Sequence, residues 1–229
     1  KEVDYVRDRM DPILVEGLRA AGFITFGLAE GGFAYLMSKE PIPSIAALRK
    51  HKVWVPENDS VAIETARAFG LSPVPLSASE VRTALQTGLI DTVAASPIVA
   101  IALRWHTEVI YITDNPLIYI YAALAIDRRA FDRIADEDQA IVTDVMQRVW
   151  KAIDRKNRED NIAALEALRN QGIRFVKPDS AEQKEWQRIA GEVPSRLIES
   201  GDIPRDIVEQ LQDLLRDYRA GRTASNEPG

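Results

Sequence analysis

Between Lys52 and Pro97, short apolar runs alternate with segments whose apolar residues recur every three or four positions. The runs are Lys52 to Val55, Pro73 to Leu76 and Leu89 to Ala95. Short apolar runs bounded by turn residues read as strands, and the longer period reads as helix. Strand–turn–helix repetition predicts a parallel sheet whose strand-to-helix turns all open on one side. Pro56-Glu57-Asn58-Asp59 is the first turn, and Ser60 to Phe69 is a helix closed by Gly70. Ser77 and Glu80 form a capping box ahead of a helix over 78–87, which Gly88 closes. Pro97 suits the first position of a helix reaching Leu103. The prolines of Pro73-Val74-Pro75-Leu76 place that run at a sheet edge.

The flanks carry the same two rhythms. Val6, Met10, Ile13, Leu14 and Leu18 predict a helix from Val3 to Ala21, kinked or divided at Pro12. Phe23 to Leu28 and Phe33 to Met37 read as two strands joined by a turn or bulge at Glu30-Gly31-Gly32. Ser44 caps a short helix to Arg49. Glu108 to Thr113 and Pro116 to Ile126 read as strands, and the second is apolar enough to run through a core. After a short helix from Arg128 to Ile134, Asp136 opens a long helix to Gln171. Its apolar stripe (Ile141, Val145, Val149, Ile153) vanishes across Asp154 to Asn161 and returns at Ile162, Leu165 and Leu168. A polar middle of this kind belongs to a helix crossing solvent between two packed bodies, or else marks a break. Ile173 to Val176 is a strand, Ser180 to Ser200 a helix broken at Pro194, and Pro204 to Tyr218 a last amphipathic helix. The tail lacks an apolar anchor and is expected to fray.

Composition narrows the function. The chain has 229 residues, room for one large domain or two small ones. Its net charge of −6 comes from scattered acids, and without a basic tract nucleic acid is not an expected partner. The lack of cysteine excludes disulfides, thiolate catalysis and cysteine metal sites, and suits an oxidising compartment. The first residues are already amphipathic, so an N-terminal part is expected to be missing.

In an open parallel sheet, ligands sit outside the carboxyl ends of the strands. Three junctions qualify, with Glu57, Asn58, Asp59, Ser60, Ser77, Ser79 and Ser96 as their polar groups. The serines and Asp59 serve equally well as helix caps. His51 and His106 have no ligand partner at helical spacing, and His106 after a helix reads as a C-terminal cap or a cleft residue. There is neither a G-x-S-x-G nor a Gly-rich phosphate loop, so no cofactor or metal is expected. Trp54, at the end of a strand, is either core or a flat wall with one N–H donor facing a ligand. Tyr35, Tyr119 and Tyr121 share that ambiguity. Binding without chemistry is the reading that results.

Several stretches carry a family resemblance: SIAALRKHKVWVPENDS, PVPLSASEVRTALQTGLIDTVAASP and FDRIADEDQAIV, with EGGFAYLMSKEPI before and ALRNQGIRFVKP after. Together they resemble the extracytoplasmic solute receptors of TRAP transporters, the DctP family. The resemblance implies a bilobed α/β fold like the periplasmic binding proteins, with one long helix spanning both lobes. Residues 1–33 and 118–157 would form a partial first lobe and 34–117 with 158–218 the second, leaving 219–229 as a tail. It implies capture of a small organic acid in an interlobe cleft in the periplasm, and delivery to the membrane subunits of a TRAP transporter. Strands near Gly32-Phe33 and Leu117-Tyr119 and the long helix would form the hinge.

The departures from that family bear on the ligand. Trp54 in K-V-W-V-P stands where members carry a carboxylate-clamping Arg, and Ala34 where many carry a second. Ala94-Ala95-Ser96-Pro97 replaces Q-E-N-P, and Ala78 an aromatic. An Arg–carboxylate fork is bidentate and charge-assisted, and Trp cannot replace it. Either Arg104 takes the carboxylate, or a more apolar ligand stacks on Trp54, or a cationic one does so with Glu57 as counter-charge. A monocarboxylate or apolar organic acid is the expected ligand, met by Trp54, Glu57, Ser96, Ala34, Tyr35 and Arg104. The alternatives are an α/β enzyme using acid–base carboxylates and the ligand-sensing domain of a signalling protein.

Overall fold

The computed structural model describes residues 1–221, so the expected tail lies from residue 222 outside the described residues. In order the elements are α1 (Glu2–Ala20), β1 (Phe23–Ser38), α2 (Ile45–Leu48), β2 (Trp54–Pro56), α3 (Ser60–Ala68), β3 (Val74–Leu76), α4 (Val81–Thr87), β4 (Thr92–Ala95) and α5 (Pro97–Ala102). A 3-10 turn (Trp105–Glu108) follows, then β5 (Tyr111–Thr113), β6 (Ile118–Asp127), α6 (Arg128–Phe131), α7 (Asp136–Asn170), β7 (Arg174–Val176), α8 (Ser180–Ser200) and α9 (Arg205–Arg219). The chain divides into two units. Lys1–Glu30, Tyr121–Lys156 and the segment from Ile203 make the first, and Gly31–Ile120 with Asn157–Asp202 the second.

In the second unit, side-chain alternation along the strands feeds two cores. Met37, Trp54, Val93, Ala95 and Ile112 pack with Val81, Ala84 and Leu85 of α4, Ala100 of α5, Trp105, and Leu168 of α7. Leu36 and Val53 pack with Ile45 and Leu48 of α2, Phe69, and Trp186 and Ile189 of α8. The sheet therefore lies between two helical layers. It is mixed, where the alternation predicted it parallel. β2 and β3 do pair in parallel, and an isolated parallel bridge joins Val53 to Thr92. β4, however, runs antiparallel to β1 (Tyr35 opposite Ala95, Ser38 opposite Thr92), and β1 antiparallel to β5. β5 and β7 are parallel.

Where two strands and a turn were expected, β1 is one strand of 16 residues. Its glycines mark close approaches rather than a reversal. A Cβ on Gly31 would lie 2.8 Å from Ile120 Cγ2, and one on Gly32, at φ +89°, 2.5 Å from Asn161 Nδ2. β6 is not a core strand either: none of its residues is buried, and Ile118 and Leu124 are 43% and 37% exposed. Among the described residues it pairs with β1, off the main strand path.

Both proline expectations are corrected as well, since α1 and α8 run unbroken through Pro12 and Pro194. The carbonyls that these prolines leave unbonded belong to Asp8 and Ala190, both exposed, so water can satisfy them. Ser44 caps α2 as expected, accepting from Ala47 N–H. At α4 only half of the capping box forms. The Glu80 carboxylate accepts from the backbone N–H and hydroxyl of Ser77, and the helix starts at Val81 instead of residue 78.

α7 is continuous over 35 residues, without a break in its polar middle. In the first unit α1 packs on α9, with the Tyr5 and Tyr218 rings 5.4 Å apart and Arg219 Nε donating to Glu2 over 2.7 Å. The last helix, expected with the second lobe, thus belongs to the first unit.

Candidate functional site

The candidate junctions resolve into caps and one open edge. Asp59 accepts from Ala62 N–H and caps α3. Ser77 bonds Ser79 and Glu80 within its own turn. His106 Nδ1 lies 3.0 Å from the Ala100 carbonyl near the end of α5, the capping alternative.

Ser96 differs from these. It is 1% exposed, begins α5 without capping it, and its Oγ has no hydrogen-bond partner. Carrying the β1–β4 register forward by one residue sets Ala34 opposite Ser96. The isolated parallel Val53–Thr92 bridge sets β2 beside β4, and Glu57 directly follows the carboxyl end of β2. Of the six predicted residues, Ala34 and Ser96 are therefore neighbours, and Glu57 stands at the end of the adjacent strand β2. Ala34 is buried and contributes only a methyl group, while Glu57 is exposed and acidic. Asn58 beside it has φ +62°, a left-handed conformation that Asn tolerates.

The other three are placed elsewhere. Trp54 is 7% exposed, lies edge-on to Trp105 with ring centroids 5.1 Å apart, and donates its indole N–H to the Leu76 carbonyl over 2.9 Å. It is a core residue, and its donor is already engaged, which corrects the reading of Trp54 as a ligand wall. Tyr35 is half-buried against the same core. Burial, with Asp114 adding to it, holds its hydroxyl proton above the ordinary tyrosine range. Arg104 is exposed at φ +58° beyond the far end of α5. At 1.5 Å per residue it stands roughly 10 Å along the chain from Ser96, too far to share its ligand atom.

Two buried polar residues escaped the sequence reading. Asn161 of α7 is 7% exposed and donates to the carbonyls of Gly31 (3.3 Å) and Asn157 (2.9 Å). Its Oδ1 accepts from the N–H of Ile98, two residues after Ser96, over 3.4 Å. In the first unit Arg7 of α1, 8% exposed, donates to Asp154 (2.8 Å), Asp11 (3.2 Å) and the Leu28 carbonyl (3.2 Å). Desolvation pushes the Asp11 carboxyl above its ordinary range, against the opposing pull of Arg7. The signal was spacing: Asp154 and Asn161 stand seven apart, two turns on one helix face, within the run that read as polar on every side. Among the described residues, no group of three or more His, Cys, Asp or Glu could hold a metal ion.

Comparison with known proteins places this edge in context. The model of the DctP family, described as bacterial extracellular solute-binding protein family 7, matches residues 7–200. The protein YiiZ of Salmonella typhimurium is 33% identical over 135 residues, 58% of this chain and 40% of that protein. The chain therefore spans less than half the length of this curated relative. Among solved structures, the sugar acid binding protein of Advenella mimigardefordensis, in complex with galactonate, superposes with TM-score 0.84 at 19% identity, covering 94% of this chain and 69% of that one. An extracytoplasmic solute receptor of Bordetella pertussis binding pyroglutamic acid gives 0.82 at 21% identity, covering 94% and 70%.

Proposed function

We propose that this chain, which belongs to bacterial extracellular solute-binding protein family 7, the DctP family, captures a small organic acid and hands it to the membrane subunits of a TRAP transporter. Membership makes it a periplasmic solute receptor rather than an enzyme. The acid binds at the edge of the second unit where Ser96 lies opposite Ala34, with Glu57 at the end of the neighbouring strand. The observation that carries this reading is the Ser96 hydroxyl, buried and unpartnered. A buried hydroxyl without a partner costs stability, and a ligand oxygen that bonds it recovers that cost.

The ligand class follows from the groups at this edge. Trp54 is core, Ala34 carries no charge and Arg104 is remote, so none of the predicted contacts brings a guanidinium to Ser96. Glu57 adds a negative charge there. A monocarboxylate with few hydroxyls, or an apolar organic acid, suits this edge better than a dicarboxylate. The galactonate-bound relative favours a second reading, a sugar acid whose hydroxyls bond Ser96 and Glu57. A thermal-shift series decides between them. Ligand stabilisation grows as RT ln(1 + [L]/Kd), so at equal concentration the better class shifts Tm more. Simple monocarboxylates such as pyroglutamate should shift Tm more than galactonate. A larger shift from galactonate selects the sugar acid, and no shift from any organic acid removes the ligand assignment.

A further inference from the structure

Beside the Ser96 edge, within the second unit, stand two aromatic rings, Phe33 of β1 and Tyr119 of β6. Their centroids are 5.1 Å apart at an interplanar angle of 64°, an edge-on pair. Phe33 directly precedes Ala34, the residue opposite Ser96. The Leu117 N–H donates to the Ala34 carbonyl over 2.9 Å, and Ile118 and Tyr119 follow it in the chain. Phe33 is 38% exposed and Ile118 43%, while Tyr119 is half-buried. An open apolar surface thus adjoins the buried, unpartnered Ser96 hydroxyl.

Asn161 fixes the spacing between the two. Its amide bonds the Gly31 carbonyl, two residues before Phe33, and the Ile98 N–H, two residues after Ser96. Gly32 packs against the same side chain too closely to admit a Cβ. The backbone that carries Phe33 is thereby held, and Tyr119 sets the plane of its ring. A surface ordered before the ligand arrives loses little freedom on binding it. A single exposed Phe is ordinary. One ordered in advance beside an unpartnered hydroxyl is a wall for a ligand.

We propose that Phe33 and Tyr119 are the specificity-determining wall of this receptor, and that its ligand is an aromatic monocarboxylate. A carboxylate oxygen accepts from the Ser96 hydroxyl, and the flat ring stacks on Phe33 at the centroid spacing that aromatic pairs favour, about 4.5–7 Å. A polyhydroxylated acid fares worse, because hydroxyls set against the two rings lose water without gaining partners. The carboxylate contact rests on the ligand site proposed above, whereas the wall rests on the ring pair.

Titration calorimetry on the full chain separates the two. Benzoate and cyclohexanecarboxylate share charge and carbon number and differ in planarity. Benzoate should bind the wild type about fivefold tighter, the scale of one aromatic pair. Phe33→Leu keeps an apolar side chain without the ring. It should bring the two acids to within about twofold of each other by weakening benzoate alone. If Phe33→Leu does not fold, Tyr119→Leu removes the edge-on partner and should reduce the preference to about twofold. Cyclohexanecarboxylate binding as tightly as benzoate, or a preference that survives the variant, overturns the wall. Ser96→Ala should weaken both acids alike, by about fivefold. Affinities indifferent to Ser96→Ala remove the ligand site proposed above, while the Phe33→Leu comparison still decides the wall. If neither ring acid binds and galactonate does, the wall falls and the sugar acid stands. If none of the three binds, both readings fall.

Discussion

Ser96 and Trp54 show how differently two neighbouring strand ends use a polar atom. The Trp54 N–H has an acceptor in Leu76, and the Ser96 hydroxyl has none. Ser96→Ala should therefore raise the unfolding free energy of the unliganded protein, by up to about 1 kcal/mol, while weakening ligand binding roughly fivefold to tenfold. Urea unfolding and titration calorimetry would check the two halves. A loss of stability with unchanged affinity would make Ser96 structural. The sequence placed both residues at strand ends but could not say which way either points. Both are buried, and what separates them is a hydrogen-bond partner; the surroundings of Trp54 are set by Leu76 and Trp105, residues distant from it in sequence.

Among the elements, α7 and β1 depart most from what their patterns implied. The polar stretch of α7 read as solvent-facing because charged and amide residues were counted alike. Asp154 and Asn161 point inward and bond backbone groups of β1. A hydrophobicity pattern cannot register a helix face that is buried and polar. β1 was divided at Gly31-Gly32 because paired glycines usually mark turns, whereas here they admit Ile120 and Asn161. Gly31→Ala should cost about 1–3 kcal/mol through overpacking against Ile120, measured by denaturant unfolding. The positions of the helices, the Ser44 and Gly88 caps, Asp59 as one of its two alternatives, and the span of the long helix were legible, because local periodicity and cap chemistry specify them.

Asp11 gives α1 an unusual pH response. Its folded-state pKa lies above the unfolded value, so the native state binds the extra proton and the contribution of Asp11 improves as pH falls through that folded pKa. Glu80 behaves oppositely. Its pKa is lowered by the Ser77 hydroxyl, and its contribution is lost on acidification through the lowered value. Relative to Asp11→Asn, the wild type should therefore gain stability as pH drops from neutral towards the ordinary Asp range, as measured by urea unfolding across that span. A difference independent of pH would contradict it.

At the scale of the whole molecule, the division into two units follows the sequence only in part. Strand–helix alternation foretold the second unit, because all of its layers are local in sequence apart from the end of α7, β7 and α8. The assignment of α9 to the first unit was not foretold, since its partner α1 lies at the opposite end of the chain. An amphipathic helix announces that it will pack without announcing where. Separating α9 from α1 with Arg219→Glu, which sets like charges against Glu2, should cost at most about 1 kcal/mol at this exposed pair, and less at high salt.

The burial of Trp54 also limits what redesign can achieve. An arginine introduced there would, on charge alone, offer a carboxylate clamp. Trp54→Arg would instead set a cation among Leu85, Val93, Trp105 and Ile112, with one backbone carbonyl for company. The substitution should cost several kcal/mol and confer no new affinity for dicarboxylates. An arginine at this position is thus not accommodated by a single substitution, because the surrounding core is closed around the indole.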